Sequence, residues 1–523
     1  MEIFDVAVVG AGHNALVSAC YLAKAGKKVV VLERRPVIGG AVCTEEMFGG
    51  YKVDIGSSIH VLLPQSGIVE ELGLDKHGLE YIELDPFAFY PVRGSDKAIT
   101  FYRSLDKTCE SIAAICPQDA ETYRNLILKS ADVLRLIMKA MEVPPNQALF
   151  EIIKTCIKQP QSLRRTIKAK DVIRHNMTSS LRMVEELFIS EEVKAALVWL
   201  GAQHGPQPDA ATSGAMICAY GSLHEMGVYR PIGGSGMATV AMGRVFEAHG
   251  GTIITSAAVD HVSKAIGGGA CFEVKAGDTI VQTKNVLFGC HVRTAMLKML
   301  DKSLLSDDIE RKLKATKISN ASGFMVRQAV SELPQYAGQK VDARGIGECH
   351  SGMQLLCPTV DTLVSTMHRN RVGELATYPP VMQMTFTAVD PSLAPEGKHL
   401  LYSWSSYPPY HLANGHWDDI ADREADRIWD VVCEYSPNMK GKLIDRYVQS
   451  PLEIERVLGM LQGDVCHLDM GMDQMMSNRP IPEMGNYKTH VDGIYLTGSS
   501  THPGGAVWGA SGRSAAKVML KEM

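Results

Sequence analysis

The chain has 12 cysteines but no CxxC pair, so neither a zinc ribbon nor a dithiol redox centre is indicated. Its thiols are scattered, which fits a reducing compartment, and small buried hydrophobes account for most of them. No apolar run approaches the ~18–20 residues that would span a bilayer. A signal peptide is not expected either: strand-like Phe4–Val9 begins almost at once and leads into a functional-looking turn that cleavage would destroy. The expected location is cytoplasmic, with membrane association left open. A basic excess is missing too. Lys and Arg total 53 against 58 Asp and Glu, a net charge of -5, which argues against general nucleic-acid binding. Collagenous, coiled-coil and disordered biases are absent. What remains is ordinary globular composition, 46% hydrophobic and 21% charged, over 523 residues, enough for two or more cooperating domains. The 26 methionines suit irregular apolar pockets, although core filling explains most of them.

The first thirty-odd positions carry the clearest signal. Phe4–Val9 is a short β-branched run, Gly10-Ala11-Gly12-His13-Asn14-Ala15 follows, and Asn14 to Ala25 reads as a helix with Leu16, Val17, Cys20 and Ala23 on one face. A second apolar run, Lys28–Leu32, ends at Glu33. This is a βαβ unit with the G-x-G-x-x-A form of the dinucleotide fingerprint. Gly10 permits the tight turn, Gly12 lets the backbone approach a pyrophosphate, and Ala15 lets helix and sheet pack closely. The helix N-terminus offers free N–H groups and partial positive charge to phosphates. Glu33 stands where a carboxylate accepts from the ribose hydroxyls of an adenosine and disfavours a 2′-phosphate. A glycine-rich turn alone would be weak evidence; strand, helix, second strand and terminal Glu together point to a bound dinucleotide.

Downstream lies Arg34-Arg35-Pro36-Val37-Ile38-Gly39-Gly40-Ala41. It resembles the ER-x-x-x-x-GG stretch of glutathione-reductase-like flavoproteins of the amine oxidase and phytoene desaturase type. The resemblance implies non-covalently held FAD, with Arg34, Gly39 and Gly40 near its pyrophosphate and ribityl chain. Ala41 stands where many relatives carry Arg, so any role of that Arg is absent or taken by another residue. Asp54-Ile55-Gly56-Ser57-Ser58-Ile59-His60 matches a family loop that leads towards the flavin. At the other end, the strand-like run Val491–Leu496 leads through Thr497 to Gly498, and Ser499–Gly512 (SSTHPGGAVWGASG) then leads into a helix expected over Arg513 to Leu520. It resembles the closing element of phytoene desaturase-like enzymes, which implies Gly498, Gly505 and Val507 at the ribityl chain and flavin edge. Gly233-Gly234-Ser235-Gly236 precedes a helix expected over Ala238 to His249, then a strand running to Val259, whose backbone clamps the adenine in that family. GAGHNALVSA, GDVCHLDMGMDQMMSNRPIPEM and the THPGG turn narrow the resemblance to the carotenoid-oxidoreductase branch of the FAD-dependent amine oxidase superfamily. It is strong over roughly the first 65 residues and from about Asp464 onward, moderate from about Gly221 to Cys290, and faint where substrate is chosen.

Two further absences matter. No second strand–GxGxxG–helix unit supports a separate NAD(P)H domain, and no Cys in the C-terminal turn would tether a flavin covalently. The flavin does the hard chemistry, so no acid–base pair is required. Candidate polar groups at the active site are His60, His204, Tyr229, His502 and Trp508, each histidine with a satisfied structural hydrogen bond as its plain alternative. No catalytic base and no metal site is assigned. Between Tyr123 and Arg182 bases outnumber acids and apolar residues interleave at helical spacing. That fits either a helical cap with solvated lysines or a helix lying on an anionic membrane.

The expected fold is α/β: a Rossmann FAD domain from residues 1–75, 205–300 and 455–523, interleaved with an α+β substrate domain from 76–204 and 301–454. The resemblance implies an FAD-dependent oxidoreductase acting on an apolar substrate, a polyene or isoprenoid among the candidates, by dehydrogenation, saturation or isomerisation at flavin N5. Electrons would pass to oxygen, a quinone or another acceptor. The alternatives are a flavin amine oxidase and a flavin-containing binding or assembly protein with little turnover. Trp404, Tyr402, Tyr407, Tyr410 and Trp417 are candidates for lining an apolar tunnel, with ordinary packing at least as good an account.

Overall fold

Two seven-stranded sheets, each assembled from distant stretches of sequence, organise the described residues. The computed structural model describes residues 2–158, 170–203, 206–266, 271–319 and 323–523. In the first sheet Ile3–Val9 lies between Val29–Leu32 and Thr279–Phe288, parallel to both. Thr252–Ile254 extends it beyond Val29–Leu32, and Ile494–Leu496 pairs in parallel with Val286–Phe288. Val6 to Val9 and Val29 to Leu32 are buried throughout, so alternation is lost, as expected when helices cover both faces. The fingerprint helix, His13–Lys24, packs between Met237–Ala248 and the C-terminal helix Ala510–Glu522. A Cβ on Gly512 would collide with the Asn14 carbonyl oxygen, which shows how closely the two ends of the chain approach.

The second sheet runs Leu443–Gln449, Gly323–Val330, His399–Ser406, Val381–Met384, Met353–Leu356, Ala88–Pro91, Ala98–Phe101. It is antiparallel except where Met353–Leu356 meets Ala88–Pro91. One face packs on the helix Trp417–Tyr435 through Phe324, Val326, Leu401 and Val381. The other, carrying Ala329, Leu400, Tyr402, Met382, Met384, Met353 and Leu355, shares a core with the helices around Leu105–Gly201. The α/β architecture is the one the sequence predicts.

Three boundaries differ from expectation. The strand expected to reach Val259 stops at Ile254, because Ser256 turns the chain at φ 53. The last strand is only Ile494–Leu496, since Gly493 at φ 84 breaks the run before it. The last helix starts earlier than expected, at Ala510, because Gly509 (φ 86) supplies its N-terminal turn. Among the described residues no helix is long and apolar enough to cross a membrane, and no cluster of side chains is suited to a metal ion. All 12 cysteines are unpaired as disulfides.

Candidate dinucleotide cleft

Gly10 sits at φ 94, which lets the strand Ile3–Val9 turn directly into its helix. Ala15, at the third fingerprint position, faces Gly289: a Cβ there would lie 2.6 Å from the Ala15 methyl. Gly12 is different in kind. Its φ of -65 is ordinary, and an added Cβ would meet no protein atom within 4 Å, so the backbone beside it faces open space. Gly39 bridges to this turn, donating its N–H to the Ala11 carbonyl at 2.8 Å. Its φ of 112, and the Val42 carbonyl that an ideal Cβ would strike, admit only glycine. Gly40 (φ 59) approaches Gly12, and Gly56 approaches Ala41, whose carbonyl accepts from the Ser57 N–H at 2.7 Å. Ser58 offers its carbonyl to Arg230 at 3.0 Å.

Glu33 is buried at the end of its strand, accepting from the Ala11 N–H (2.7 Å) and the Arg35 N–H (2.9 Å). Ala257 donates to the Glu33 carbonyl at 2.8 Å, and Val259, two residues on, shares a core cluster with Leu32. Arg34 points elsewhere: its guanidinium clasps the carbonyls of Arg456 and Val457 at the end of the helix Pro451–Leu458. The Arg34 side chain is thus engaged away from the glycine turn. Asn14 holds the two termini together, its Oδ1 accepting from the Gly512 N–H at 3.3 Å and its Nδ2 reaching His13 Nε2 at 3.0 Å. Burial pushes the His13 imidazole down to about 4, despite the Ala506 backbone beside it.

The C-terminal turn closes the cleft. Gly498 (φ 93) receives Ser511 Oγ on its N–H at 2.9 Å, and Thr501 bonds the same hydroxyl at 2.7 Å. Gly504 and Ala506 both hold positive φ, 110 and 104, and Ala506 is exposed. For a residue with a Cβ this conformation is uncommon; Gly505 and Val507 on either side are half-buried. Gly505 lies over Cys466, whose Sγ would sit 2.6 Å from a Cβ, and Val507 gives its carbonyl to the Leu63 N–H. Trp508 is buried just before the C-terminal helix.

The other candidate side chains are used structurally. Both ring nitrogens of His60 are hydrogen-bonded, to Tyr81 Oη and Ser235 Oγ at 2.8 Å each, and burial drives it to about 3. Tyr229 accepts from Arg103 at 3.1 Å and stacks edge-on with Tyr81. His502 is fully buried with its ring against the backbone of Ala140, Met141 and Val143, at the carbonyl end of the helix Pro117–Met141. Neither ring nitrogen makes a hydrogen bond, and burial lowers it to about 4. His60 thus shows its plain alternative, a satisfied structural hydrogen bond at each ring nitrogen. His204 lies outside the described residues. Of the aromatic candidates, Trp404 and Tyr402 belong to the inner face of the second sheet, whereas Trp417 packs on its outer face against Phe324 and Tyr407 donates to the Ala202 carbonyl.

Several residues at the cleft have roles that the sequence does not disclose. Arg479 is buried and distributes its guanidinium over the carbonyls of Cys466, Leu468, Asp469, Gln474 and Ser499, pinning the segment behind the turn. His467 stacks on His291 (5.1 Å between centroids) and bonds Ser500 Oγ at 3.0 Å. Asp54 and Arg230 form a fully buried ion pair at 2.7 Å, with Arg230 over the Phe386 ring at 4.2 Å. The Gly463–Met484 stretch stood out by resemblance, but nothing in its composition announces that one arginine will gather five carbonyls.

Gly12 facing open space at a helix N-terminus, a buried carboxylate one strand over, and the exposed Ala506 turn fit an extended adenine dinucleotide. Comparison with known proteins agrees. Residues 8–72 match the NAD(P)-binding Rossmann-like domain family. Over 99% of its length the chain is 28% identical to the rat (Rattus norvegicus) pyridine nucleotide-disulfide oxidoreductase domain-containing protein 2, covering 94% of it. It is 26% identical to a limonene dehydrogenase polypeptide of Castellaniella defragrans over 99% of this chain and 95% of that one. With the lycopene-forming phytoene desaturase of Pantoea ananas, identity is 24% over 99% of both chains. A variant of putrescine oxidase superposes with a TM-score of 0.62 at 15% identity, covering 99% of each chain. Over its whole length the chain is thus similar to oxidoreductases that include a dehydrogenase and a desaturase, and it shares the fold of putrescine oxidase.

Proposed function

We propose that the chain holds FAD non-covalently and catalyses dehydrogenation, saturation or isomerisation of an apolar substrate, polyenes and isoprenoids being the favoured class. The observation that carries this is the inner face of the second sheet. Met325, Met353, Met382, Met384, Leu355 and Trp404 share it by register, and Met325 packs with Trp404 beside Ala41 of the flavoprotein-like loop. Thioether and aliphatic groups solvate a hydrocarbon well and offer no proton to it.

Bound FAD would supply the redox chemistry at its flavin ring. Gly12, Gly39 and Gly40 would admit its phosphates, Glu33 would accept from its ribose, and the Gly505–Val507 backbone would lie along the flavin side. Asn14 ties the C-terminal helix to the N-terminal one, and Arg479 holds the C-terminal turn against the segment from Cys466 to Gln474. The methionine-rich face excludes water and positions a C–H or C=C bond. Names of relatives lean the same way, since limonene and phytoene are both apolar terpenoid hydrocarbons.

An amine oxidase remains the second reading, because amine oxidases share the fold. Against it stands Arg327, buried on the same sheet face 4.7 Å from the Tyr402 ring, with no carboxylate at ion-pairing distance among the described residues. A buried cation there disfavours an ammonium substrate. Anaerobic mixing tests the reading: the yellow absorbance should bleach with an apolar polyene or terpene and persist with amines. Bleaching by an amine alone would move the assignment to the oxidase. A flavin that no substrate reduces would favour a binding or assembly role.

A further inference from the structure

From the helix Pro145–Lys158 we infer that the protein docks on anionic lipid membranes through that helix. Leu149, Phe150, Ile153 and Ile157 are 70%, 66%, 49% and 74% exposed. Positions 149, 153 and 157 recur every four residues and Phe150 lies beside them, so the four form one stripe. Only Ala148 of this helix is fully buried. Its apolar stripe faces away from the protein, the reverse of an ordinary amphipathic surface helix. Such a patch marks an interaction surface.

Charge decides the occupant. Lys154 and Lys158 flank the stripe on the side of Gln147, two and three turns further along. Gln147 lines a recess of about 190 Å³ together with Pro144, Lys517 and Lys521, so two more lysines border the same edge. Glu151 is the single acid of the helix, and it is bonded to Lys154 at 2.8 Å. A second copy meeting this face about a twofold axis would set lysines against lysines. An anionic bilayer takes the apolar stripe into its interface and the lysines at its headgroups. Long lysine stems accommodate this geometry.

The position is apt. The preceding helix ends at Met141, where Ala140, Met141 and Val143 lie against His502 of the cofactor turn. Asn146 donates its N–H to Asn486 Oδ1 at 3.3 Å. The lipid-facing helix is thus rooted at the cleft. This deepens the reading of an apolar substrate and rests on it for purpose, but its test does not depend on it.

The full-length, cofactor-loaded protein is co-sedimented with phosphatidylcholine vesicles with and without phosphatidylglycerol. Binding is expected only with phosphatidylglycerol. It should weaken at least about tenfold in an Ile153→Ser, Ile157→Ser double variant. Lys154→Gln with Lys158→Gln should reduce the preference for anionic lipid. Urea midpoint and bound-cofactor absorbance should be unchanged, since these side chains are exposed. Failure of the native protein to bind anionic vesicles, or equal binding by the isoleucine variant, overturns the inference. So does a dimer in ultracentrifugation that the isoleucine variant abolishes. Yellow protein that ignores vesicles refutes only the docking; colourless protein that binds them refutes only the cofactor reading.

Discussion

Arg479 donates twice to the Ser499 carbonyl, at 2.9 Å from Nε and 2.7 Å from Nη2, tying the loop that precedes the last strand to the cofactor turn. Four more carbonyls complete its shell. Replacing it with Met leaves those acceptors buried without donors, at about 1–3 kcal/mol for each one that finds no water. Arg479→Met is expected to lower stability by roughly 3 kcal/mol or more and to shed the cofactor. Urea denaturation and flavin content of the purified variant check both.

Gly12 and Gly39 make a discriminating pair. Gly12→Ala introduces a methyl that meets no protein atom within 4 Å at an ordinary φ. It should leave the melting temperature of the cofactor-free protein nearly unchanged while weakening dinucleotide binding by at least about tenfold. Gly39→Ala drives a methyl into the Val42 carbonyl at φ 112, so it should lose both. Calorimetric titration with FAD alongside thermal melts separates the two effects.

The Asp54–Arg230 pair is fully buried on both sides. Asp54→Asn strands the guanidinium beside Phe386 and should cost about 3–5 kcal/mol, read as a lower denaturation midpoint. Equal stability of the variant would mean that Asp390, whose carboxylate accepts from the Gly233 N–H at 2.8 Å, suffices as counter-ion.

Acid should destabilise the protein through its buried imidazoles. His13, His291 and His502 are each lowered to about 4 by burial, below the unfolded value of 6.5. The unfolded chain therefore binds more protons between those values, and stability falls as pH drops from about 6.5 towards 4. Each fully neutral imidazole contributes up to about 1.4 kcal/mol per pH unit in that window. His502→Leu, which removes a ring with no hydrogen bond, should flatten this slope; urea midpoints at pH 7 and 5 would show it.

The cofactor half of the fold was legible because its physics is local: Gly10, Gly12 and Ala15 act within a turn, and Glu33 is one strand away. Val259 was placed on a strand that ends five residues earlier, since nothing local shows that Ser256 will adopt positive φ. His502 was expected at the cofactor because it adjoins a glycine-rich turn. Its ring direction depends on a helix over 350 residues distant in sequence, which no periodicity reveals. Asp54 and Arg230, 176 positions apart, raise the same difficulty. The basic, apolar-striped segment around Pro145–Lys158 was recognisable from its pattern, but whether the stripe faced inward was a tertiary question. Arg164, Arg165 and Lys168 of that segment lie outside the described residues.

The pairing of Ile494–Leu496 with Val286–Phe288 has a consequence for biosynthesis. While a ribosome is still translating the middle of the message, the Val286–Phe288 edge has no neighbour and the wall carrying Gly505–Val507 does not yet exist. The proposed dinucleotide cleft is therefore complete only once residues 494–507 have emerged, and termination upstream of them leaves half of that cleft and an open, aggregation-prone sheet margin.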